Sequence, residues 1–329
     1  MSVACLAFTG RGFSLAQKLA QALGGTADRS GQPVSLQNWT QAHFTKDRAL
    51  IYVGAVGIAV RAVAPYLQSK TTDPAVVVVD ECGRYAIPLV SGHLGGANDL
   101  ARRVAELCGA QAVITTATDC NGLFAVDEWA RCQHCVVMNP ACIRKVSGAL
   151  LAGKEIRVKT EYPIVGIPPR GGKVVQKPPY EVYLGNVPQQ ASVLWLVPKV
   201  TVLGIGCRKG TGIEALEKVF QASGILPQSV CAVASIDLKA QEKGLLAFCE
   251  RHAWPFQVYC AEELARAEGS FSGSAFVEKT TGVDNVCERA AVLGSGGGSL
   301  LCRKMVGSGV TLAAACKPVR LDWRFHNVW

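Results

Sequence analysis

Short, unbroken apolar runs alternate with amphipathic helical patterns over the first part of this chain. "VACLAF" leads into "SLAQKLAQAL", "ALIYV" into "GIAVRAVAPYL", and "YAIPLV" into "LARRVAELC". Strands buried on both faces appear as continuous apolar runs, and helical crossovers join the parallel strands of one sheet. The pattern predicts an N-terminal α/β domain over residues 1–130, built on a mostly parallel sheet.

The same alternation returns after a middle region that is rich in proline and glycine. From Val200 onward, "VTVLGIGC" leads into "IEALEKVF", and "VCAVASI" leads into "KAQEKGLLAFCERH". In the middle region, a helix-like "NPACIRKVSGALLAG" precedes a proline-rich stretch that excludes regular helix and favours short strands such as "EIRVKT" and "EVYLG". We therefore predict two α/β lobes with mostly parallel sheets, joined by a Pro/Gly-rich linker subdomain. The linker subdomain spans 131–197 and the C-terminal α/β domain spans 198–329.

Composition narrows the class of protein. Of the 329 residues, 49% are hydrophobic and 18% are charged, which is enough apolar material for a sizeable core. The longest uncharged apolar run, Ala49 to Val60, is shorter than the roughly 20 residues of a transmembrane helix, so no membrane partner is expected. The N-terminal stretch lacks the basic residues and cleavage site of a signal peptide. We therefore expect a cytoplasmic protein whose 14 cysteines are reduced thiols.

The formal net charge is +9, from 34 Lys and Arg against 25 Asp and Glu, which favours anionic partners. The basic residues form no dense run and no aromatic-interleaved motif, so nucleic acid is not the expected partner. A small polyanionic ligand agrees with the charge equally well, and composition alone does not decide between the two.

The stretch "PLVSGHLGGANDLARRVA", residues 88–105, places a histidine among glycines where a strand turns into a helix. Backbone N–H groups of glycines and the positive end of the helix dipole can hold an oxyanion or a carboxylate. His93 adds a side chain whose pKa lies near neutrality, as general acid–base catalysis requires. The alternative is a structural turn in which Asn98 or Asp99 caps the helix. The candidate ligand contacts of this stretch are Ser91, Gly92, Gly95, Gly96 and Asn98.

A second polar cluster, "TTATDCNGLFAVDEWA" at residues 115–130, follows another predicted strand. Asp119 is a candidate catalytic residue, because it could orient an imidazole or act as a base. An Asx turn before Gly122 is the structural alternative. The candidate ligand contacts here are Thr116, Thr118 and Asn121.

A second glycine-rich turn occurs in "LGIGCRKGTGIEAL", residues 203–216. Its glycines do not match the dinucleotide fingerprint, and it has no Gly-Lys-Ser or Gly-Lys-Thr of a P-loop. An anion cradle remains, with a solvated turn as the alternative. Glu214, one turn into the helix, is a candidate acid or base. The candidate ligand contacts are Gly206, Cys207, Arg208, Lys209, Gly210 and Thr211.

The sequence "CQHC", Cys132 to Cys135, has the spacing of half a zinc site. Structural zinc needs about four ligands, usually from two such pairs, and the chain has no second pair. His43, His252 and His326 stand in unrelated stretches. The expectation is therefore that the protein holds no metal.

The two N-terminal motifs, in this order, resemble the N-terminal half of the cobalt-precorrin-5A hydrolase family, the cobalamin-biosynthesis proteins called CbiG. "VLGIGCRKGTGIEAL", "SIDLKAQEKGLLAFCE" and "TTGVDNVCERAAVL" resemble the C-terminal domain of that family. The resemblance covers nearly the whole chain, with the Pro/Gly-rich middle as the variable region of the family.

This resemblance implies an enzyme of the anaerobic route to vitamin B12. It would open the δ-lactone of cobalt-precorrin-5A, release acetaldehyde and give cobalt-precorrin-5B. The substrate is a macrocycle rimmed with acetate and propionate carboxylates, which suits a basic chain. Its cobalt is already held by the ring, so the resemblance implies no cofactor, and handover from other enzymes of the pathway is compatible with it.

Side-chain chemistry suggests roles for the candidate residues. We expect His93 to act as the base, with N–H groups around Gly95 and Gly96 as oxyanion donors. Asp119 or Glu214 would take the proton that is lost as acetaldehyde leaves. Two other functions stay open at this point: a non-catalytic corrinoid-binding or handover protein, and a nucleotide-dependent enzyme on a Rossmann-like lobe.

Overall fold

A computed structural model of the chain describes residues 2–31, 33–70 and 72–324, so His326, one of the histidines weighed as a metal ligand, lies outside the described residues. The described residues form three sheets of five or six strands, each with its own helices, and one two-stranded sheet. The predicted class, α/β with mostly parallel sheets, is confirmed. The predicted domain boundaries remain a prediction.

The N-terminal lobe is a six-stranded sheet flanked by helices. In chain order its elements are β1 (Val3–Ala7), α1 (Gly10–Leu23), β2 (Thr26–Arg29), α2 (Leu36–Lys46), β3 (Ala49–Val53), α3 (Val56–Val63), β4 (Ala75–Val79), β5 (Tyr85–Val90), α4 (Ala97–Cys108) and β6 (Gln111–Ala112). Every residue of β1, β3 and β4 is buried, because helices cover both faces of the sheet. This explains why these strands appear as unbroken apolar runs.

One hairpin reverses the direction of this sheet. The strand order is β2-β1-β3-β4-β5-β6, and all neighbours are parallel except β4 and β5. Asp80 builds the turn between them, because its side chain accepts the backbone N–H groups of Arg84 and Tyr85, each at 2.7 Å. The segments that follow β5 and β6 therefore lie at the edge where β1, β3 and β4 begin.

The middle region contains a sheet of its own. Its elements are α5 (Ala117–Cys120), α6 (Val126–Cys132), β7 (Cys135–Val137), α7 (Ala141–Leu151), β8 (Ile156–Thr160), β9 (Ile164–Val165), β10 (Gly172–Val174), β11 (Val182–Leu184) and β12 (Leu194–Pro198). The order β10-β8-β11-β12-β7 is parallel except for β12 and β7. The predicted short strands at "EIRVKT" and "EVYLG" are β8 and β11.

The core of this middle lobe draws on residues from both sides of the proline-rich stretch. Phe124 and Trp129 are fully buried, and Trp323, from near the end of the chain, stacks on Trp129 with ring centroids 5.0 Å apart. The indole N–H of Trp129 donates to the backbone oxygen of Asp322 at 2.8 Å. In the middle lobe, the segment that carries Phe124 and Trp129 thus packs against the segment around Trp323, near the C-terminal end of the described chain.

The C-terminal lobe is a five-stranded sheet of order β15-β14-β13-β17-β16. Its elements are β13 (Thr201–Cys207), α8 (Ile213–Ala222), β14 (Val230–Ile236), α9 (Lys243–Arg251), β15 (Phe256–Tyr259), α10 (Ala261–Ala265), α11 (Ala275–Thr281), α12 (Cys287–Gly294), β16 (Ser299–Gly307) and β17 (Val310–Cys316), after which β18 (Leu321–Asp322) pairs with β9. β13, β14 and β15 are parallel, and β17 and β16 close the sheet as an antiparallel pair. Among the described residues, no helix is both long and apolar enough to span a membrane.

Candidate active site

The imidazole of His93 lies between two carboxylates where the N-terminal lobe meets the middle lobe. Its Nε2 is 2.6 Å from Oδ2 of Asp119, and its Nδ1 is 3.1 Å from Oδ1 of Asp127. Asp119 belongs to α5 and Asp127 to the first turn of α6. The His93 side chain is only 13% exposed. Both ring nitrogens are therefore engaged by acidic groups and shielded from solvent.

The glycines around His93 are required by packing inside the turn. A Cβ on Gly95 would lie 2.3 Å from Cβ of Ser91, and one on Gly92 would lie 2.9 Å from Oδ1 of Asn98. Gly96 is the N-cap of α4 and has a φ of 87°, in the left-handed region that favours glycine. Neither Asn98 nor Asp99 caps the helix, because no side chain accepts a hydrogen bond at its N-cap.

Asp119 is held by three neighbours besides His93. Oγ1 of Thr116 donates to its Oδ2 at 2.6 Å, and Nδ2 of Asn98 lies 3.5 Å from the same oxygen. The guanidinium of Arg102 pairs with the other carboxylate oxygen. The predicted contacts Asn98 and Thr116 are thus directed at Asp119, and they fix its position.

Two arginines extend the network away from the imidazole. Nη1 of Arg102 lies 2.9 Å from Oδ1 of Asp99 and 3.1 Å from Oε1 of Glu128. Arg131 pairs with the other oxygen of Asp99, and its Nε donates to the backbone oxygen of His93 at 2.9 Å. We call this set the His93 cluster; it consists of His93, Asn98, Asp99, Arg102, Thr116, Asp119, Asp127, Glu128 and Arg131.

Five members of the cluster were not among the site residues predicted from the sequence: Asp99, Arg102, Asp127, Glu128 and Arg131. Charged residues on a helix usually form a solvated face, so charge alone does not identify them. The signal that could have revealed this network comes from Asp127 and Glu128. They lie in the first turn of α6 between the apolar residues Val126 and Trp129, and Glu128 is only 4% exposed. A buried carboxylate needs a partner, and such a pair inside an apolar stretch indicates an ion-pair network.

The network sets the protonation state of His93. Burial alone would lower the pKa of His93, but the hydrogen bond to Asp119 and the negative charges of Asp127 and Glu128 outweigh it and raise this pKa to about 10. Burial opposes ionisation of Asp119, yet hydrogen bonds from His93 and Thr116 hold its pKa well below the usual range. At neutral pH the arrangement is an imidazolium between carboxylates, which is a proton donor, whereas the predicted base role needs a neutral ring.

Glu128 differs from the other carboxylates of the cluster. Burial, together with the negative charges of Asp99 and Asp119, raises the pKa of Glu128 above the ordinary value of a glutamate. This carboxyl group therefore gains a proton more readily than an exposed glutamate does.

The predicted oxyanion donors have different surroundings. The N–H of Gly96 donates to the backbone oxygen of His93 at 3.1 Å, so it is already used within the turn. Gly95 lines a cavity of about 570 Å³ together with Leu94. We call it the N-terminal cavity; Lys46 and Arg48 also line it. Of the two glycines, Gly95 is therefore better placed to offer a backbone N–H to a ligand in this cavity.

Two predicted ligand contacts, Ser91 and Asn121, have structural partners, and a third, Thr118, is buried. Oγ of Ser91 donates to the backbone oxygen of Asp73 at 3.0 Å, which ties the turn to the loop before β4. Nδ2 of Asn121 donates to the backbone oxygen of Ala117 at 2.8 Å and closes α5. Thr118 is 5% exposed. These residues shape the turns on which the His93 cluster rests.

One group of side chains has the composition of a metal site. One ligand atom each of His93, Asp119 and Glu128 lies within 4.8 Å of the others, the one such group among the described residues. The guanidinium of Arg102 pairs with both Asp119 and Glu128, so a cation already occupies this position. Cys132 and Cys135 join no such group, and burial raises the pKa of the Cys135 thiol to about 12.

The second glycine-rich turn is built differently. A Cβ on Gly204 would lie 1.8 Å from the backbone oxygen of Cys287, so this glycine allows α12 to pack directly on β13. The N–H of Gly210 donates to Oε1 of Glu242 at 2.9 Å, and Oγ1 of Thr211 donates to the backbone oxygen of Arg208 at 2.7 Å. The predicted backbone cradle is thus filled by groups of the chain itself.

The side chains of this turn face a second cavity of about 570 Å³, which we call the C-terminal cavity. Gly206, Cys207, Arg208 and Lys209 line it. Glu214 is exposed on the first turn of α8, and no hydrogen bond or ion pair within the described ranges joins it to the His93 cluster. The structure therefore brings His93 and Asp119 together and leaves Glu214 and the basic residues in another lobe.

Comparison with known proteins places both motifs in one family. A family model described as "Cobalamin synthesis G N-terminal" matches residues 38–119, and one described as "Cobalamin synthesis G C-terminus" matches residues 201–315. The first match contains His93 and Asp119, and the second contains Arg208 and Lys209.

Full-length relatives agree with these matches. The chain is 34% identical to a cobalt-precorrin-5A hydrolase of Salmonella typhimurium, covering 94% of this chain and 96% of that protein. It is 33% identical to the protein of the same name from Priestia megaterium, covering 84% and 80%. A solved structure, a cobalamin biosynthesis protein G homolog from Sulfolobus solfataricus, is 22% identical over 96% of this chain and 97% of that one, with a TM-score of 0.43.

Proposed function

The chain belongs to the cobalt-precorrin-5A hydrolase family, and from this membership and the geometry of the His93 cluster we propose that it opens the δ-lactone of cobalt-precorrin-5A. The reaction releases acetaldehyde and gives cobalt-precorrin-5B. The observation that carries the proposal is the imidazole of His93, held between Asp119 and Asp127 and next in sequence to Leu94 and Gly95, which line the N-terminal cavity.

The first step is hydrolysis of the lactone ester. Water attacks the carbonyl carbon, a carboxylate of the cluster accepts a proton from that water, and backbone N–H donors near Gly95 stabilise the developing oxyanion. The imidazolium of His93 then donates a proton to the alkoxide oxygen as the carbon–oxygen bond breaks. Asp127 holds the ring in place during this transfer, since it faces the nitrogen that Asp119 does not.

The second step removes the two-carbon fragment. After the first step His93 is a neutral imidazole, and it now accepts the proton of the newly formed hydroxyl group. As that O–H bond breaks, the carbon–carbon bond to the macrocycle breaks in a retro-aldol-like step and acetaldehyde leaves. The electron pair of the broken bond takes up, on the macrocycle, the proton that the cluster carboxylate accepted in the first step, so this group is a carboxylate again and His93 is again an imidazolium. One histidine thus acts first as acid and then as base.

The N-terminal cavity is the proposed place of the lactone. It adjoins the turn that carries His93, and Lys46 and Arg48 offer cations to the acetate or propionate groups nearest the reacting ring. The cobalt is part of the substrate, so the cluster needs no metal of its own. We also propose a cytoplasmic location and handover of the substrate from other enzymes of cobalamin synthesis, the process named in the descriptions of both matching family models.

Timed release of acetaldehyde tests the proposal. Purified protein is mixed with cobalt-precorrin-5A, and acetaldehyde is measured by coupled reduction with alcohol dehydrogenase. General acid–base groups typically contribute about 10²–10⁴-fold in rate, so His93→Ala should bind substrate normally and turn over at least about a hundredfold more slowly.

The matched control is His252→Ala. His252 also pairs with a carboxylate, at 3.0 Å from Glu217, but it lies in the C-terminal lobe. Its variant should keep wild-type turnover. Substrate binding by the wild type without any acetaldehyde would instead identify a non-catalytic corrinoid-binding protein. Near-normal turnover by His93→Ala would remove His93 from the mechanism.

A further inference from the structure

The C-terminal cavity combines an apolar floor with a cationic rim. It opens where β13 and β14 end, which is the edge of a parallel sheet at which α/β proteins bind ligands. Three large apolar side chains that line it are exposed: Leu238 is 66%, Phe276 79% and Val306 73% exposed. Exposed apolar residues that gather at one cavity indicate a surface that a ligand covers.

Four cations surround this apolar floor from three directions. Arg208 and Lys209 follow β13, Lys239 follows β14, and Lys304 lies on β16. Lys239 lies 3.3 Å from Glu242, and Nζ of Lys304 donates to the backbone oxygen of Ser272 at 2.8 Å. No ion pair within the described ranges involves Arg208, Lys209 or Lys304.

The distribution of these charges selects the class of ligand. A phosphate group is bound by clustered backbone N–H groups, but the N–H of Gly210 is taken by Glu242 and that of Arg208 by the backbone oxygen of Gly309. Cations that are spread around an apolar centre match a ligand with several separated anionic groups on an apolar body. A macrocycle with peripheral carboxylates has this form.

The described residues that line the C-terminal cavity include no member of the His93 cluster. The middle lobe contacts the C-terminal lobe at the other end of β13, where the N–H of Lys199 donates to the backbone oxygen of His134 at 3.1 Å. From Thr201 to Cys207 the strand extends about 20 Å, at roughly 3.3 Å per residue. The C-terminal cavity and this junction with the middle lobe therefore lie at opposite ends of β13.

We propose that the C-terminal cavity is a second binding site for a carboxylate-rimmed tetrapyrrole, separate from the site of lactone hydrolysis. The face of the macrocycle packs on Leu238, Phe276 and Val306, and its carboxylates pair with Arg208, Lys209 and Lys304. The choice of ligand rests on the proposed function, whereas the existence of a site for an apolar polyanion rests on the cavity alone.

Calorimetric titration of the full chain tests this site without any turnover. The probe is dicyanocobyrinic acid, a cobalt corrinoid whose peripheral carboxylates are all free. Phe276→Ala should weaken its binding about tenfold, because a large exposed aromatic contact is lost. Arg208→Ala combined with Lys209→Ala should weaken binding at least about tenfold, because charge-assisted hydrogen bonds are lost.

Controls separate this site from the proposed reaction. Ile167→Ala and Lys218→Ala remove exposed residues of the same types elsewhere and should bind the probe as the wild type does. His93→Ala should also bind it normally, even if the hydrolase proposal fails. The fully methylated ester of the probe should bind at least about tenfold more weakly, since it has lost its charges.

Three outcomes would overturn the proposal. The first is unchanged affinity in both Phe276→Ala and the Arg208→Ala, Lys209→Ala variant. The second is weakening by Lys46→Ala or Arg48→Ala only, which would place the corrinoid solely in the N-terminal cavity. The third is displacement of the probe by ATP, which would indicate a nucleotide site.

Discussion

The glycine-rich turns at residues 91–97 and 204–212 look alike in sequence but place their charges differently. In the first turn, His93 points inward and becomes part of a buried ion-pair network with Asp119. In the second, the glycines admit α12 and the side chain of Thr311, while Arg208 and Lys209 remain exposed at a cavity. Buried, paired charges suit proton transfer, and exposed cations suit ligand binding. Glycine density alone shows only that the backbone passes close to another group.

The largest expected effect distinguishes the two carboxylates that hold His93. Asp119→Asn should lower kcat for acetaldehyde release at least about a hundredfold, because the hydrogen-bonded charge that keeps the imidazole protonated is lost. Asp127→Asn should lower kcat less than Asp119→Asn does, because Nδ1 of His93 lies 3.1 Å from Asp127 whereas Nε2 lies 2.6 Å from Asp119. Thermal melts of both variants check that they are folded. A greater loss in Asp127→Asn would exchange the two roles.

The protonation of His93 should also affect how the stability of the fold depends on pH. Its pKa is raised from 6.5 to about 10 in the folded chain, so the protonated ring stabilises the fold fully below pH 6.5, and this contribution is lost as the pH rises to about 10. His93→Gln removes it at every pH. The difference in Tm between wild type and His93→Gln should therefore be largest near pH 6 and should narrow as the pH approaches 10. A gap that stays constant over this range would mean that the ring is neutral in the folded protein.

The sequence predicts the sheets of the outer lobes better than that of the middle lobe. Buried strands such as β3 and β4 are continuous apolar runs, and this pattern needs no knowledge of partners. Strands β9 and β10 are two and three residues long and only partly buried, so they carry no such pattern. The reversal at β5 depends on the Asp80 turn, and an apolar run does not reveal the direction in which a strand pairs.

The candidate site could be predicted only in part for a similar reason. His93 stands out because it follows an apolar run and lies beside glycine, and Asp119 stands out because it belongs to a polar cluster that follows another predicted strand. Arg102 and Glu128 lie on helices, where charged residues are common, and only the packing of α4 against α6 shows that they meet. The pKa of His93 depends on these partners, so the sequence could suggest an acid–base group but not its resting protonation state.

The comparison of the turns also predicts that the second turn controls substrate binding and that the first controls kcat. Replacing Arg208 and Lys209 by Ala should weaken equilibrium binding of the corrinoid substrate at least about tenfold, since charge-assisted hydrogen bonds contribute roughly 1.5–3 kcal/mol each. The kcat at saturating substrate should stay at the wild-type value, because neither residue lies in the His93 cluster. A fall in kcat would show that the C-terminal turn takes part in the chemistry.

The smallest effect is expected at Glu214, the acid or base candidate that the sequence placed in the second turn. Its side chain is exposed on α8, and no hydrogen bond or ion pair within the described ranges joins it to His93 or Asp119. Solvent-exposed carboxylates far from the reacting atoms contribute little to a barrier, so Glu214→Gln should change kcat by less than about twofold. Lys218→Ala, one turn further along the same helix, is the control for a local disturbance of α8. A loss near that of Asp119→Asn would require the C-terminal turn to reach the lactone during turnover, and the two glycine-rich turns would then form one site.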